Sequence, residues 1–131
     1  MTPEEDIKSI VTGICPDSDH WPMTKNSDLF IGYRPSGEKL MLAGDRIVRT
    51  VITYDLTIFA QRGAQAAKME KTRYSLYQAL MQGGWQLEGN PGPESYIPEH
   101  NLFAWPLACT KSFVLLNGTP QDPRTLDGGI R

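Results

Sequence analysis

A two-residue alternation from about Arg46 to Gln61 limits most strongly the folds that this chain can adopt. Even-numbered positions in this segment are mostly apolar and odd-numbered positions are mostly polar, with Ile47, Val51 and Phe59 as exceptions. A period of two indicates a β-strand with one face on a core and the other face closer to water. Roughly fifteen residues is longer than most strands, so we expect a bend or a bulge within this one.

Two helices are predicted, one on each side of this strand. The first covers about residues 3–13. Thr2 is a suitable N-cap, Pro3 suits the first helical position, and Glu5 completes a Thr-x-x-Glu capping box. The second follows Gly63 and runs to about Gln82, and one of its sides is formed by Met69, Thr72, Leu76, Ala79 and Leu80.

Shorter strands and turn-rich segments account for the rest of the chain. Strands are predicted at residues 29–33, 85–88 and 102–116, and loops at residues 15–28, 34–37 and 90–101. Pro106 lies inside the last of these strands and removes a backbone donor. This indicates an edge, a bulge or a break at that point.

Together these elements predict an α+β fold, with a small mixed or antiparallel sheet of about four strands and two helices packed on one face. The chain has 131 residues, of which 40% are hydrophobic and 21% charged, as expected for one globular domain with its own core. We place this domain at residues 1–116 and predict a flexible C-terminal tail over residues 117–131.

Composition and charge argue against several classes of protein. The net charge of −2 argues against a dedicated nucleic-acid-binding protein, because phosphate contacts need a surplus of Lys and Arg. The first residues do not resemble a signal peptide, and the longest aliphatic run, Val114–Leu116, is too short to span a membrane. Two cysteines are too few for a disulfide framework, so we expect a soluble protein of a reducing, cytosolic compartment.

Few residues suggest catalysis or metal binding. Cys15, His20, His100 and Cys109 are possible zinc ligands, but their spacing does not match that of structural zinc sites. Ser36–Lys39 has the spacing of a serine acyl-enzyme motif but is predicted to be a turn, whereas that motif requires a helix. We therefore predict no enzyme activity, no cofactor and no metal.

The second helix has a further, narrower stripe formed by Tyr74, Tyr77 and Met81. A helix packed on one sheet needs a single apolar face, so a second stripe favours contact with another partner. Two half-exposed tyrosines are also ordinary on a protein surface, and the sequence leaves both interpretations open.

The order of elements resembles that of the tail terminator proteins of long-tailed bacteriophages and prophages, also described as minor capsid, minor tail or tail completion proteins. The similar stretch covers about residues 28–116. It is most specific at Tyr54–Gly63 and the long helix that follows. The N-terminal helix and the short strand Phe30–Tyr33 with its Pro/Gly turn also fit this family.

The resemblance implies a hexameric ring that caps the tail tube, stops its polymerisation and docks it to the head–tail connector. DNA would pass through a central channel without sequence-specific binding. The partners would be further copies of the chain, the tail tube protein and the connector or neck protein. The protein would reside in the tail or neck of the virion, and in the host cytoplasm during assembly.

Such a subunit needs two different adhesive surfaces besides its core, because a ring closes through a heterologous interface. Aromatic and Met residues are typical of interface centres. The candidates for one surface are Tyr74, Tyr77 and Met81. The candidates for the other are Phe103 and Trp105, on a possible edge strand.

Two alternatives remain open at this stage. The chain could be a small cytoplasmic module that binds a ligand or partner in a groove between helices and sheet. It could also be a head-completion or neck protein, since such proteins have similar lengths.

Overall fold

The computed structural model describes residues 1–21, 28–61, 64–116 and 118–123. Its elements in chain order are α1 (Pro3–Ile14), β1 (Asp19–His20), β2 (Leu29–Ala43), β3 (Arg46–Gln61), α2 (Ala64–Gln82), β4 (Gln86–Glu88), β5 (Ser95–Ile97), β6 (Leu102–Leu116) and β7 (Thr119–Gln121). Neither described helix has the length and apolar character that crossing a membrane requires.

The described strands form one mixed sheet built around β3 and β6. The strand order is β1-β2-β3-β6-β4, and β5 and β7 also pair with β6. Only the β1–β2 pair among them is parallel. Two helices and a mixed sheet were predicted and are confirmed. The expected sheet of about four strands is wrong, because seven strands pair within the described residues.

The first helix has the start that its sequence predicts. The Thr2 side chain accepts a hydrogen bond from the Glu5 backbone N–H at 3.3 Å and donates one to the Glu5 carboxylate at 2.8 Å. Three acidic residues also lie in the first turn, where they complement the positive end of the helix dipole.

Both helices cover the same face of the sheet. The core between them is formed mainly by Ile7, Val11, Ile31, Tyr33, Tyr54, Leu56, Ile58, Met69, Leu76, Leu80, Trp85, Leu107 and Phe113. It contains Met69, Leu76 and Leu80 of the predicted stripe of α2, and the even-numbered positions of β3 from Ile52 onward. The opposite face carries a smaller cluster in which Phe59 stacks between Trp21 and Phe30, each at 5.0 Å between ring centroids.

The largest difference from the sequence-based prediction is the length of β2. A strand over residues 29–33 closed by a turn at 34–37 was expected, but β2 continues to Ala43. On the outer side of β2, the side away from β3, the Tyr33 carbonyl accepts a hydrogen bond from the Trp21 N–H. Backbone polar groups of alternate residues point to the same side of a strand, so the backbone nitrogen of Pro35 also faces outward. The missing N–H of Pro35 therefore costs no bond to β3, and the strand passes through a register shift between Pro35 and Gly37.

The continuation of β2 and the first part of β3 form a β-hairpin, residues 34–49, which we call the arm. Its turn contains Gly44, whose φ of +66° is readily adopted by glycine. Every residue of the arm is exposed. Its β3 strand meets β6 only at the base, where Arg49 pairs with Val114.

The C-terminal part of the fold also differs from the prediction. Residues 119–121, expected in a flexible tail, form β7 and pair with residues 114–116 of β6. Residues 124–131 of that tail, Asn117 and residues 22–27 of the first predicted loop lie outside the described residues.

The loop predicted over residues 90–101 contains the short strand β5, which pairs with the beginning of β6. Between the residues that pair with β5 and those that pair with β4, no strand pairs with the outer side of β6. There the Gly92 N–H donates a hydrogen bond to the Pro106 carbonyl at 2.7 Å. The N–H and C=O of one residue point to the same side of an antiparallel strand, so the missing donor of Pro106 lies in this gap. The interruption expected at Pro106 is therefore a gap between the partner strands β5 and β4, while β6 itself is continuous.

Candidate functional site

The structure brings most of the predicted interface residues into one place. Trp105 Nε1 donates a hydrogen bond to the Tyr77 hydroxyl at 2.7 Å, which joins β6 to α2. The expectation that Trp105 lies on an edge strand is wrong, because β6 pairs with β3 on one side and with β4, β5 and β7 on the other. The two sets of candidates therefore do not supply two separate surfaces.

Cation–π and edge-to-face aromatic contacts hold this region together. The Arg73 guanidinium lies 4.0 Å from the centroid of the Trp105 ring, within the range of a cation–π interaction. Tyr74 and Tyr77 meet edge to face at 5.8 Å. Trp105 and Tyr77 are half-buried, whereas Tyr74 and Met81 are 63% and 65% exposed.

Phe103 extends the region towards β5. Its ring is half-buried and lies 5.1 Å from that of Tyr96, whose hydroxyl donates to the Asn101 side chain at 2.5 Å. We use the term aromatic surface for Tyr74, Tyr77, Met81, Phe103 and Trp105. Its outer part, Tyr74 and Met81, offers apolar area to a partner, and its inner part fixes that area to the sheet.

The arm is a second apolar surface, which the sequence analysis did not identify. Its large exposed apolar side chains are Leu40, Met41, Leu42, Ile47 and Val48. Two features of the sequence indicate this surface. The apolar run Leu40–Ala43 lies directly before a two-residue turn, and Ile47 is apolar at a position where the alternation predicts a polar residue. The arm is also cationic, with four Lys or Arg residues against two acidic ones.

A buried ionic cluster was also missed. Lys111 Nζ donates to Asp6 Oδ2 at 2.6 Å, to Asp122 Oδ2 at 2.7 Å and to the Gly83 carbonyl at 2.8 Å. Trp85 Nε1 donates to the same Asp6 oxygen at 3.1 Å. The signal in the sequence was a lysine at an odd-numbered position of β6, where its neighbours Cys109 and Phe113 are apolar.

The cluster acts as a structural tie. All three ammonium protons are donated to protein oxygens, and the Lys111 side chain is only 4% exposed. It connects α1 through Asp6, the end of α2 through Gly83, and the segment after β7 through Asp122. Burying these charges is tolerated because each carboxylate has a cation within hydrogen-bond distance.

A groove of about 630 Å³ lies on the sheet face that the helices leave uncovered. Its lining includes Arg34, Asp55, Thr57, Glu88 and Pro106. The sequence-based alternative placed a binding groove between helices and sheet, whereas the structure places this groove on the opposite face.

The four possible zinc ligands do not form a site. Cys15 and Cys109 are buried, and His20 lies on the surface with Nε2 3.5 Å from Glu4. Within the described ranges, no group of three or more His, Cys, Asp or Glu residues is placed to hold a metal ion.

Burial controls the chemistry of both thiols. It raises the pKa of Cys109 to about 12, with smaller contributions from Asp55, Asp6 and Glu88. It also raises the pKa of Cys15, assisted by Asp17 and partly opposed by a hydrogen bond with Ser18. Both thiols are therefore protonated near neutral pH and are poor nucleophiles.

Comparisons with known proteins leave the geometry as the main guide to function: no protein-family model matches this chain, and no curated protein is found to be similar to it.

Proposed function

We propose that this chain is a structural assembly protein of a phage or prophage tail. In this proposal it is a tail terminator that forms a ring, typically hexameric, caps the tail tube and docks it to the head–tail connector. It has no catalytic role, and DNA passes through the ring without sequence-specific contacts. The resemblance in sequence suggests this class, and the exposed surfaces of the fold support it.

The observation that carries the proposal is the presence of two apolar surfaces on different elements of one small chain. The arm and the outer aromatic surface expose seven large apolar side chains between them. Contiguous exposed apolar patches mark interaction sites in soluble proteins. Two different patches on one chain suit a heterologous interface, in which one copy contacts the next and the series closes into a ring.

Light scattering coupled to size exclusion, over a range of protein concentrations, tests the proposal. We expect a discrete species near roughly six times the 14.6 kDa of one chain, and a ring with a central opening in electron micrographs. An open series of sizes that grows with concentration would contradict a closed ring.

A double variant, Tyr74→Asp with Met81→Asp, tests whether the aromatic surface takes part. Both side chains are exposed, so the folded monomer should persist while assembly is lost. The matched control, Ser9→Asp with Ser75→Asp, adds the same two charges at exposed positions elsewhere on the helices. An intact ring in the first variant would exclude the aromatic surface from the interface.

A second candidate function is supported by the groove on the uncovered sheet face. Its volume of about 630 Å³ lies in the range typical of small-ligand sites. A chain that stays monomeric at every concentration and binds a ligand there would favour a cytoplasmic binding module. A head-completion or neck protein would form the same ring but bind the connector rather than the end of the tube.

A further inference from the structure

We propose that the arm of one copy docks against the opposite side of a second copy, on the aromatic surface and the acidic segment beside it. This inference rests on the proposed self-association and specifies which surfaces meet. The segment is residues 86–100, which we call the acidic edge.

The arm exposes both apolar side chains and an unpaired strand edge. Its apolar side chains are exposed, with Leu42 at 64%. The outer side of β2 pairs with β1 only at Gly32 and Tyr33, so the described structure leaves the backbone of residues 35–43 without a strand neighbour on that side. An exposed apolar edge strand is a template for pairing with another chain, and proteins that retain one normally cover it.

The acidic edge offers a complementary surface. It contains Glu88, Glu94 and Glu99, all exposed, and no Lys or Arg. Two short strands run through it, and β4 and β5 pair with β6 alone among the described strands, so no strand pairs with their outer edges. This segment therefore combines negative charge with strand edges that can accept a neighbour.

The acidic edge and the aromatic surface are continuous. Met81 lines one shallow depression together with Gln86 and Leu87. Gly92 lies against the Trp105 ring, where an added Cβ would be 2.8 Å from the nearest ring carbon. A partner that reaches this side of the molecule meets apolar and acidic groups together.

Charge complementarity identifies the occupant as a second copy. The arm has a net charge of about +2, whereas the remainder of the chain has nine Lys or Arg against thirteen Asp or Glu. β2 and β4 lie on opposite sides of the central β3–β6 pair, so the two surfaces belong to different ends of one sheet. Head-to-tail contact between such ends generates a closed ring or an open filament.

Charge reversal tests this arrangement. The arm variant is Lys39→Glu with Arg46→Glu, and the edge variant is Glu94→Lys with Glu99→Lys; all four side chains are exposed. Each variant alone should associate at least about tenfold more weakly at low salt, because like charges then face each other. A chain carrying both reversals should recover assembly, as should an equimolar mixture of the two variants.

The apolar contribution is tested separately with Leu40→Ser and Leu42→Ser. These changes should reduce assembly while circular dichroism shows an unchanged fold. Leu116→Ser is the matched control, since Leu116 is similarly exposed, at 49%, but lies outside the arm.

The outcomes separate this inference from the proposed function. If each charge-reversal variant still forms the closed ring as well as the wild type, arm docking is overturned and the proposed ring stands. The same conclusion follows if the wild type forms the ring but combining the two reversals does not restore it. If combining the two reversals restores assembly, but the assembly is an open filament, the result supports arm docking and overturns the closed ring. A wild-type chain that is monomeric at every concentration overturns arm docking between free copies.

Discussion

The first four residues of β3, which belong to the arm, and the longer remainder of the strand both carry large apolar side chains but have opposite surroundings. From Thr50 onward its even-numbered side chains are buried beneath the helices, as at Ile52 and Leu56. Before Thr50, in the arm, Ile47 and Val48 are equally apolar but exposed. The comparison shows that the apolar character of β3 extends beyond what the fold of a single chain can bury.

The energetic meaning of this difference is direct. Full burial of a large aliphatic side chain contributes roughly 1.5–3 kcal/mol, and the body of the protein gains that contribution within one chain. The large apolar side chains of the arm are 37–64% exposed, so they gain only part of that contribution in the monomer. In the proposed assembly, stability depends mainly on the body and self-association depends mainly on the arm, so each can be changed with little effect on the other.

The largest expected effect is on the body. Lys111→Met removes the ammonium that lies 2.6 Å from Asp6 Oδ2 and 2.7 Å from Asp122 Oδ2, while both carboxylates remain buried. We expect the free energy of unfolding to fall by about 3–5 kcal/mol in denaturant titrations. Replacing the two carboxylates as well, with Asp6→Asn and Asp122→Asn, should recover much of the loss. A small loss in the single variant would show that the charges are not held in a dry cluster.

A smaller effect is expected at alkaline pH, and it also originates in the body. Burial raises the pKa of Cys109 from 9.0 to about 12 and that of Tyr54 from 10.0 to about 12. Above pH 9 the unfolded chain loses protons that the folded chain keeps, so the free energy of unfolding falls as pH rises. Each group contributes up to about 1.4 kcal/mol per pH unit until pH 12 is reached.

Denaturant titrations between pH 8 and 11 check this slope. Cys109→Ala should make the slope of the free energy of unfolding against pH shallower between pH 9 and 11. Loss of the side chain also lowers the free energy of unfolding, but by the same amount at every pH. An unchanged slope would mean that Cys109 does not keep its proton in the folded state.

The smallest expected effect is on the arm. Leu42→Ala should change the free energy of unfolding by less than about 0.5 kcal/mol, because the side chain makes little contact within one copy. The same change at fully buried Leu80 should cost about 2–5 kcal/mol. Both are measured at a concentration where the chain is monomeric. A cost above about 1 kcal/mol at Leu42 would mean that the arm packs against its own body.

Locally encoded parts of the fold were predictable from the sequence. The start of α1 follows from Thr2 and Pro3, and the buried face of α2 follows from the spacing of Leu76 and Leu80. The extent of β2 was not predictable in this way. Pro35 disrupts an internal strand but not the outer side of an edge strand, and the position of a strand in a sheet is not a local property.

The candidate site was predictable only in part. The narrow stripe of α2 identified Tyr74 and Met81, which the structure places on the surface. The contact between Trp105 and Tyr77 depends on how α2 lies across β6, for which the sequence has no local signal. Lys111 was recognisable in principle, since it interrupts an apolar register, but its partners Asp6 and Asp122 lie far away in sequence.

That separation has a consequence for the order of events during synthesis. Asp6 and Lys111 are 105 residues apart, so α1 leaves the ribosome long before its cation has been made. Until β6 follows, seating α1 on the sheet would bury a carboxylate with no positive charge to balance it. Contacts between such distant residues also form slowly, because a long loop must close first. The first helix to be synthesised is therefore expected to be among the last elements to reach its native position.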